Sequence, residues 1–249
     1  MLFVVAALAA ASSAVLPLAT ARASTLLTAP YSSTYTDPQP ACTVADVPFS
    51  GPPPVGACSF TPNPTASTGE VTASGVLQSP EDGTLPWNAS LLSETGVVAR
   101  YHLDSPTAAL PITVTIHVKS ASATVDVPFL PGLVPDTLDE FALNQTVAVD
   151  VSAVAEETQC MPDCVTGGDM SVVGREVSGT SSVSGQDYVF HLTLSNACGD
   201  SVLPDTSCGD LPAGDVLVMP EVLIFANDEL AWGSQYAQVD AVATSVSVG

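Results

Sequence analysis

One eight-residue stretch alternates without a fault. In Ile112-Thr113-Val114-Thr115-Ile116-His117-Val118-Lys119 every even position is a branched aliphatic and every odd position is polar. A β-strand sends successive side chains to opposite faces, so all four aliphatics share one side. Val97-Val98-Ala99-Arg100-Tyr101-His102-Leu103 alternates too, less cleanly. The segment between them opens on Asp104-Ser105-Pro106 and ends on Pro111, which suits a loop. The simplest reading is an antiparallel hairpin. Val97, Ala99, Tyr101 and Leu103 then face a core with Ile112, Val114, Ile116 and Val118. Arg100, His102, Thr113, Thr115, His117 and Lys119 face the other way.

Composition extends this reading to the whole chain. Ala, Val, Thr, Ser and Gly dominate, and β-branched abundance with few helix-favouring runs points to an all-β protein. A hydrophobic content of 46% supports a packed core. The chain carries 4 Lys+Arg against 26 Asp+Glu, a formal net charge of -22. Nucleic acid and anionic membrane surfaces both need a cationic footprint, so neither is an expected partner.

The first 23 residues read as a secretory signal. Leu2 to Leu18 is mostly apolar, and Ala21-Arg22-Ala23 before Ser24 has the small-residue cleavage pattern. The expected basic start is absent. That leaves an uncleaved N-terminal anchor, or a true start upstream of Met1, as alternatives to a secreted, extracellular protein. Six cysteines follow: Cys42, Cys58, Cys160, Cys164, Cys198 and Cys208. An even count behind a signal implies disulfides. Nearest-neighbour pairing closes the shortest loops, and crossed pairing among the last four is the alternative.

Along the chain, residues 24 to 66 hold nine prolines and read as a Pro-rich arm with short strands near 43–47 and 56–60. Strands are expected at 69–78, 87–92, 121–127, 147–154, 172–177, 180–184, 188–194, 216–225 and within 236–248. Pro220 makes the 216–225 strand a bulged or edge strand. Pro135 to Phe141 has the length of a helical turn. About a dozen short strands indicate an antiparallel β-sandwich, Ig-like or jelly-roll-like. The preferred division is residues 1–23 as signal, 24–134 as arm plus one sandwich, and 135–249 as a second disulfide-stapled sandwich. The alternative is one large sandwich over 24–249.

Sequence motifs for chemistry are mostly missing. There is no nucleophile elbow, zinc-protease helix, phosphate loop or dinucleotide fingerprint. Asp200, Asp205, Asp210 and Asp215 recur every five residues through a Cys-containing loop. Hard cations want several oxygens on a constrained loop, so this set is a candidate for structural calcium, the one cofactor considered. The null is ordinary turn chemistry. Arg100, His102, His117 and Lys119 on the outer face of the hairpin form a possible ligand face for an anionic or sugar ligand. The competing reading is a solvated face whose bases pair with nearby carboxylates. Glu140, Asp228 and Glu229, near Phe141, Phe225 and Trp232, are the carboxylates that a polysaccharide-acting hydrolase would use. Trp87, Tyr101, Trp232 and Tyr236 are the aromatics able to stack on sugar rings. The favoured function is a secreted non-catalytic β-sandwich protein in adhesion, surface structure or ligand binding, with a cell-surface or polysaccharide partner. The alternative is the hydrolase.

Overall fold

The strands Glu70–Gln78, Leu110–Asp126 and Ser234–Val248 bury alternate residues over most of their length. The computed structural model describes residues 31–36, 41–44, 57–78, 87–126, 145–159, 164–196, 209–231 and 233–249. Among these, the elements in order are β1 (Ser33–Thr36), β2 (Ala41–Val44), β3 (Ala57–Thr65), β4 (Glu70–Gln78), β5 (Trp87–Leu103), β6 (Leu110–Asp126), β7 (Gln145–Glu157), β8 (Cys164–Arg175), β9 (Gly179–Leu194), β10 (Gly214–Ala231) and β11 (Ser234–Val248).

They pair antiparallel into two sheets. Sheet A has the order β1-β5-β10-β7-β8, with β2 also paired to β5. β1 and β2 share that edge in tandem, against residues 95–98 and 89–92. Sheet B has the order β3-β4-β11-β6-β9. Both sheets join strands from before and after residue 135: β5 with β10, β4 with β11, β6 with β9. Strands from either side of residue 135, the expected boundary between two sandwiches, thus pair within each sheet. Residues 1–23 and 135–141, expected as a signal and a helical turn, lie outside the described residues.

The expected hairpin is corrected. β5 belongs to sheet A and β6 to sheet B, so they lie in opposite layers. The connection between them crosses the sandwich, pinned where Thr107 and Leu211 exchange backbone bonds of 3.1 and 2.7 Å. The inward parity holds all the same. Val97, Ala99, Tyr101, Leu103, Ile112, Val114, Ile116 and Val118 are all buried in one core. Alternation decides which way a side chain faces and is silent on which strand lies alongside.

Two bulges explain why the patterns read as separate short strands. On β6 the buried positions are even through Val118 and odd from Ala121. The ladders to β11 and β9 both skip Lys119, and the β9 ladder also skips Gly185, whose φ is +65°. An extra residue flips the phase without ending the strand. β10 brings another correction, because it runs at the centre of sheet A, between β5 and β7. Its ladder to β7 is continuous through Pro220, while that to β5 passes from Val218 to Glu221. Gly96 stands there: a Cβ on it would lie 2.3 Å from the Pro220 carbonyl oxygen. Gly96, opposite Glu221, lets the strands pass closely beside the proline, where one donor is missing. Pro62 and Pro64 sit on β3, an edge of sheet B, as prolines in sheets should. The described parts of the Pro-rich arm are thus edge strands β1, β2 and β3.

The sheets meet closely at Gly75 of β4. A Cβ there would come within 2.6 Å of Ile224 Cγ2 and 2.9 Å of Leu91 Cδ2, both from sheet A. Two buried tyrosines add hydrogen bonds to sheet B: Tyr31 donates to the Ala243 carbonyl (2.7 Å) and Tyr101 to the Val246 carbonyl (3.0 Å). Burial raises both phenols to about 12. Gly75→Ala is expected to cost about 1–3 kcal/mol in denaturant unfolding, because overpacking forces backbone or rotamer shifts. Combined with Ile224→Ala, which removes Cγ2, it should cost less than the two single changes summed.

Candidate functional site

The outer face of sheet B is broad and open. Inward residues of β11 are Gln235, Ala237, Val239 and Ala241, all buried, so Tyr236, Gln238 and Asp240 point outward. Strand register carries each of these across the sheet. Tyr236 stands beside Val76, with Ser59 beyond it, and on its other side beside Thr124 and then Thr180. Gln238 lies in a row with Thr61, Ser74, Ser122 and Ser182. Asp240 lies with Asn63, Thr72, Ser120 and Ser184. Strand spacing of about 4.8 Å gives this array an order-of-magnitude width of 20 Å. It consists almost wholly of hydroxyl and amide groups. Tyr236, 40% exposed, is the large aromatic at its centre.

Basic groups at the margins of both outer faces are already paired. Lys119 bonds Glu70 at 2.8 Å and Asp240 at 3.3 Å. That contact holds the Glu70 carboxyl below the usual range and raises the Lys119 ammonium. His117 lies 2.6 Å from Asp187, and His191 lies 3.3 Å from the Thr113 hydroxyl. On sheet A, Asp215 takes both His102 (2.8 Å) and Arg100 (3.9 Å). Arg175 donates to the Val177 and Ser178 carbonyls, both at 2.8 Å, closing the β8–β9 turn. Each described lysine and arginine therefore has a carboxylate or carbonyl partner.

The expected ligand face does not assemble. Arg100 and His102 lie on β5 in sheet A, His117 and Lys119 on β6 in sheet B, so the four sit in opposite layers. The reading in which bases pair with nearby carboxylates is the one the geometry shows. Of the acidic loop, Asp200 and Asp205 lie outside the described residues. Asp210 is exposed, and Asp215 is engaged by Arg100 and His102. Among the described residues no group of three or more His, Cys, Asp or Glu is placed to hold a metal ion. Tyr101 faces the core; Trp87 and Trp232, like Glu140, lie outside what is described of side chains, as do Asp228 and Glu229.

The structure adds a carboxyl pair that alternation alone did not single out. Glu221 of β10 points to the outer face of sheet A yet is only 4% exposed. It hydrogen-bonds Glu94 of β5, and burial first, then Glu94, push its carboxyl up to about 8. Tyr35 of β1 donates to Glu94 Oε1 at 2.6 Å. A sequence signal existed: Glu221 is a lone charge inside Val216 to Phe225, an otherwise apolar run. Glycosidase carboxyl groups stand about 5 to 9.5 Å apart, with the sugar bond or a water between them. A directly hydrogen-bonded pair leaves no such gap.

No family model matches the chain, and no curated protein does. Two solved structures of carbohydrate-binding modules are similar in part. TmCBM61, solved with β-1,4-galactotriose, overlaps at 5% identity and a TM-score of 0.20, covering 75% of this chain and 86% of its own. A CBM4 structure overlaps at 11% identity and a TM-score of 0.16, covering 82% and 79%. At these values the likeness assigns no ligand to this chain.

Tyr236 and Gln238 lie outside the core, so Tyr236→Ser and Gln238→Ala should each leave unfolding free energy within about 0.5 kcal/mol of the parent. Denaturant midpoints measure this.

Proposed function

We propose that the chain is a secreted, non-catalytic β-sandwich protein that binds an uncharged polysaccharide on the outer face of sheet B. The observation that carries this is exposed Tyr236 at the centre of rows of hydroxyl and amide side chains five strands wide. A sugar chain offers hydroxyls along its edges and apolar C–H faces on its rings. The rows suit the first, and an exposed aromatic ring suits the second. Among the described residues Lys119 and Arg100 are in ion pairs and Arg175 is bonded to backbone carbonyls, and an acidic glycan would meet a formal net charge of -22. Secretion is supported by the N-terminal apolar run and the even number of cysteines. Neither Cys58 nor Cys164, whose side chains are described, is a free thiol. The other four fall outside the described side chains. Among the described residues no helix is long and apolar enough to cross a membrane.

Affinity electrophoresis against a panel of neutral and acidic polysaccharides tests the reading. Retardation is expected on a neutral polymer and should persist in about 1 M salt, where the Debye length is only about 3 Å. Tyr236→Ala should weaken binding by about tenfold or more, the loss of roughly 1.4 kcal/mol at an aromatic anchor. Absence of retardation on every neutral polymer, or undiminished binding by Tyr236→Ala, overturns it.

A further inference from the structure

Sheet A carries a cluster that this ligand face does not use. Strand register sets Asp169 of β8, Ser152 of β7, Glu221 of β10, Gly96 of β5 and Tyr35 of β1 in one row across its outer face. The next row holds Ser171, Asp150, Leu223 and Glu94. Four carboxyl groups from four strands thus share two rows, and no Lys, Arg or His stands in either. Arg100, further along β5, is paired with Asp215. Asp150 has its own carboxyl raised, by burial first and by Asp169, against a lowering bond from Ser171. Nothing described here offsets a charge on Glu221.

The hydrogen bonds run in sequence: Glu221 to Glu94, and Tyr35 hydroxyl to Glu94. They link the central strand β10, through β5, to the edge strand β1. β1 is four residues long and pairs with β5 alone. Its other ties include Ser32 N–H and hydroxyl to the Val98 carbonyl (2.7 and 3.0 Å), Thr95 hydroxyl to the Tyr35 carbonyl (2.8 Å), Thr36 hydroxyl with Thr95 hydroxyl (2.9 Å), and Tyr31 to sheet B. We propose that the Glu221–Glu94–Tyr35 series is a pH-sensitive clasp that holds β1 on sheet A while Glu221 keeps its proton and loosens when the proton leaves.

Loss of that proton removes the donor toward Glu94 and sets a second negative charge beside it. A buried carboxylate must then be hydrated or separated from its neighbour. β5, β7 and β10 are fixed by ladders on both sides. A short edge strand paired on one side alone is the element that yields at least cost. The sign follows from proton linkage. The folded state binds the Glu221 proton more tightly than the unfolded chain. Stability from this group is therefore full below the ordinary carboxyl range and is lost as pH rises toward about 8.

Amide hydrogen exchange on the full chain, from about pH 5 to about pH 9 and corrected for intrinsic rates, tests the clasp. Protection of residues 32–36 should fall by about tenfold or more over that range, since one unit of carboxyl shift is a factor of ten. Protection of Ile112–Val118 in β6 should stay constant. Glu221→Gln keeps the shape and the donor, and should hold β1 protection flat. Glu221→Met, equally without a titrating group, serves as the second variant should the first not fold. A flat parental profile overturns the clasp, and so does a pH-dependent fall of the parental size in whichever variant folds.

Discussion

The structure rests on the exclusion of water between two sheets. The side chains that fill the interlayer come from both halves of the chain. Many are small. Gly75 of sheet B leaves room for Leu91 and Ile224 of sheet A, and Ala73, Ala99, Ala123, Ala153 and Ala241 are buried among larger residues, which keeps close packing. The two long strands of sheet B could not stay in phase with this requirement over their whole length. The bulges at Lys119 and Gly185 reset them, and β6 remains inward-apolar over 17 residues.

Once the inner faces are committed, the outer faces are free to diverge. Sheet B spends its freedom on neutral hydroxyl groups, and its few charges lie in exposed pairs such as Lys119 with Glu70. Pairs of that kind contribute little to stability. Sheet A does the opposite, placing Glu221 on an outer face where it is nonetheless buried. A carboxyl kept from water is held protonated, and its environment gives it a titration far from that of the exposed acids. The face proposed for a ligand is thus nearly without free charge, and the cluster proposed to respond to protons lies on the other. Neither property needs the sandwich core to change.

Much of the architecture was legible because the signal is local. The all-β class, the inward residues of 97–103 and 112–118, and the strand at 69–78 follow from period two within a few residues. The short strands read around Lys119 were one strand, since a bulge looks like an ending when only the phase of the apolar residues is visible. Pro220 argued for a bulged or edge strand on the rule that a missing donor weakens a ladder. Gly96, more than a hundred residues away, supplies the accommodation. Tyr236 was visible as an aromatic able to stack on a sugar, but nothing near it in sequence separates it from Tyr101, which is buried.

By itself the sequence determined which side chains face inward and that the chain forms strands, because parity and β-branching act on each residue through its immediate neighbours. Only the tertiary structure decided which strands are adjacent. Backbone hydrogen bonding is nearly indifferent to partner, so β5 pairs as readily with β10 as with β6, and the choice is made by how all the inner faces fit at once. That choice split Arg100 and His102 from His117 and Lys119 into opposite layers. It also brought Glu94, Glu221 and Tyr35 together from three distant parts of the chain.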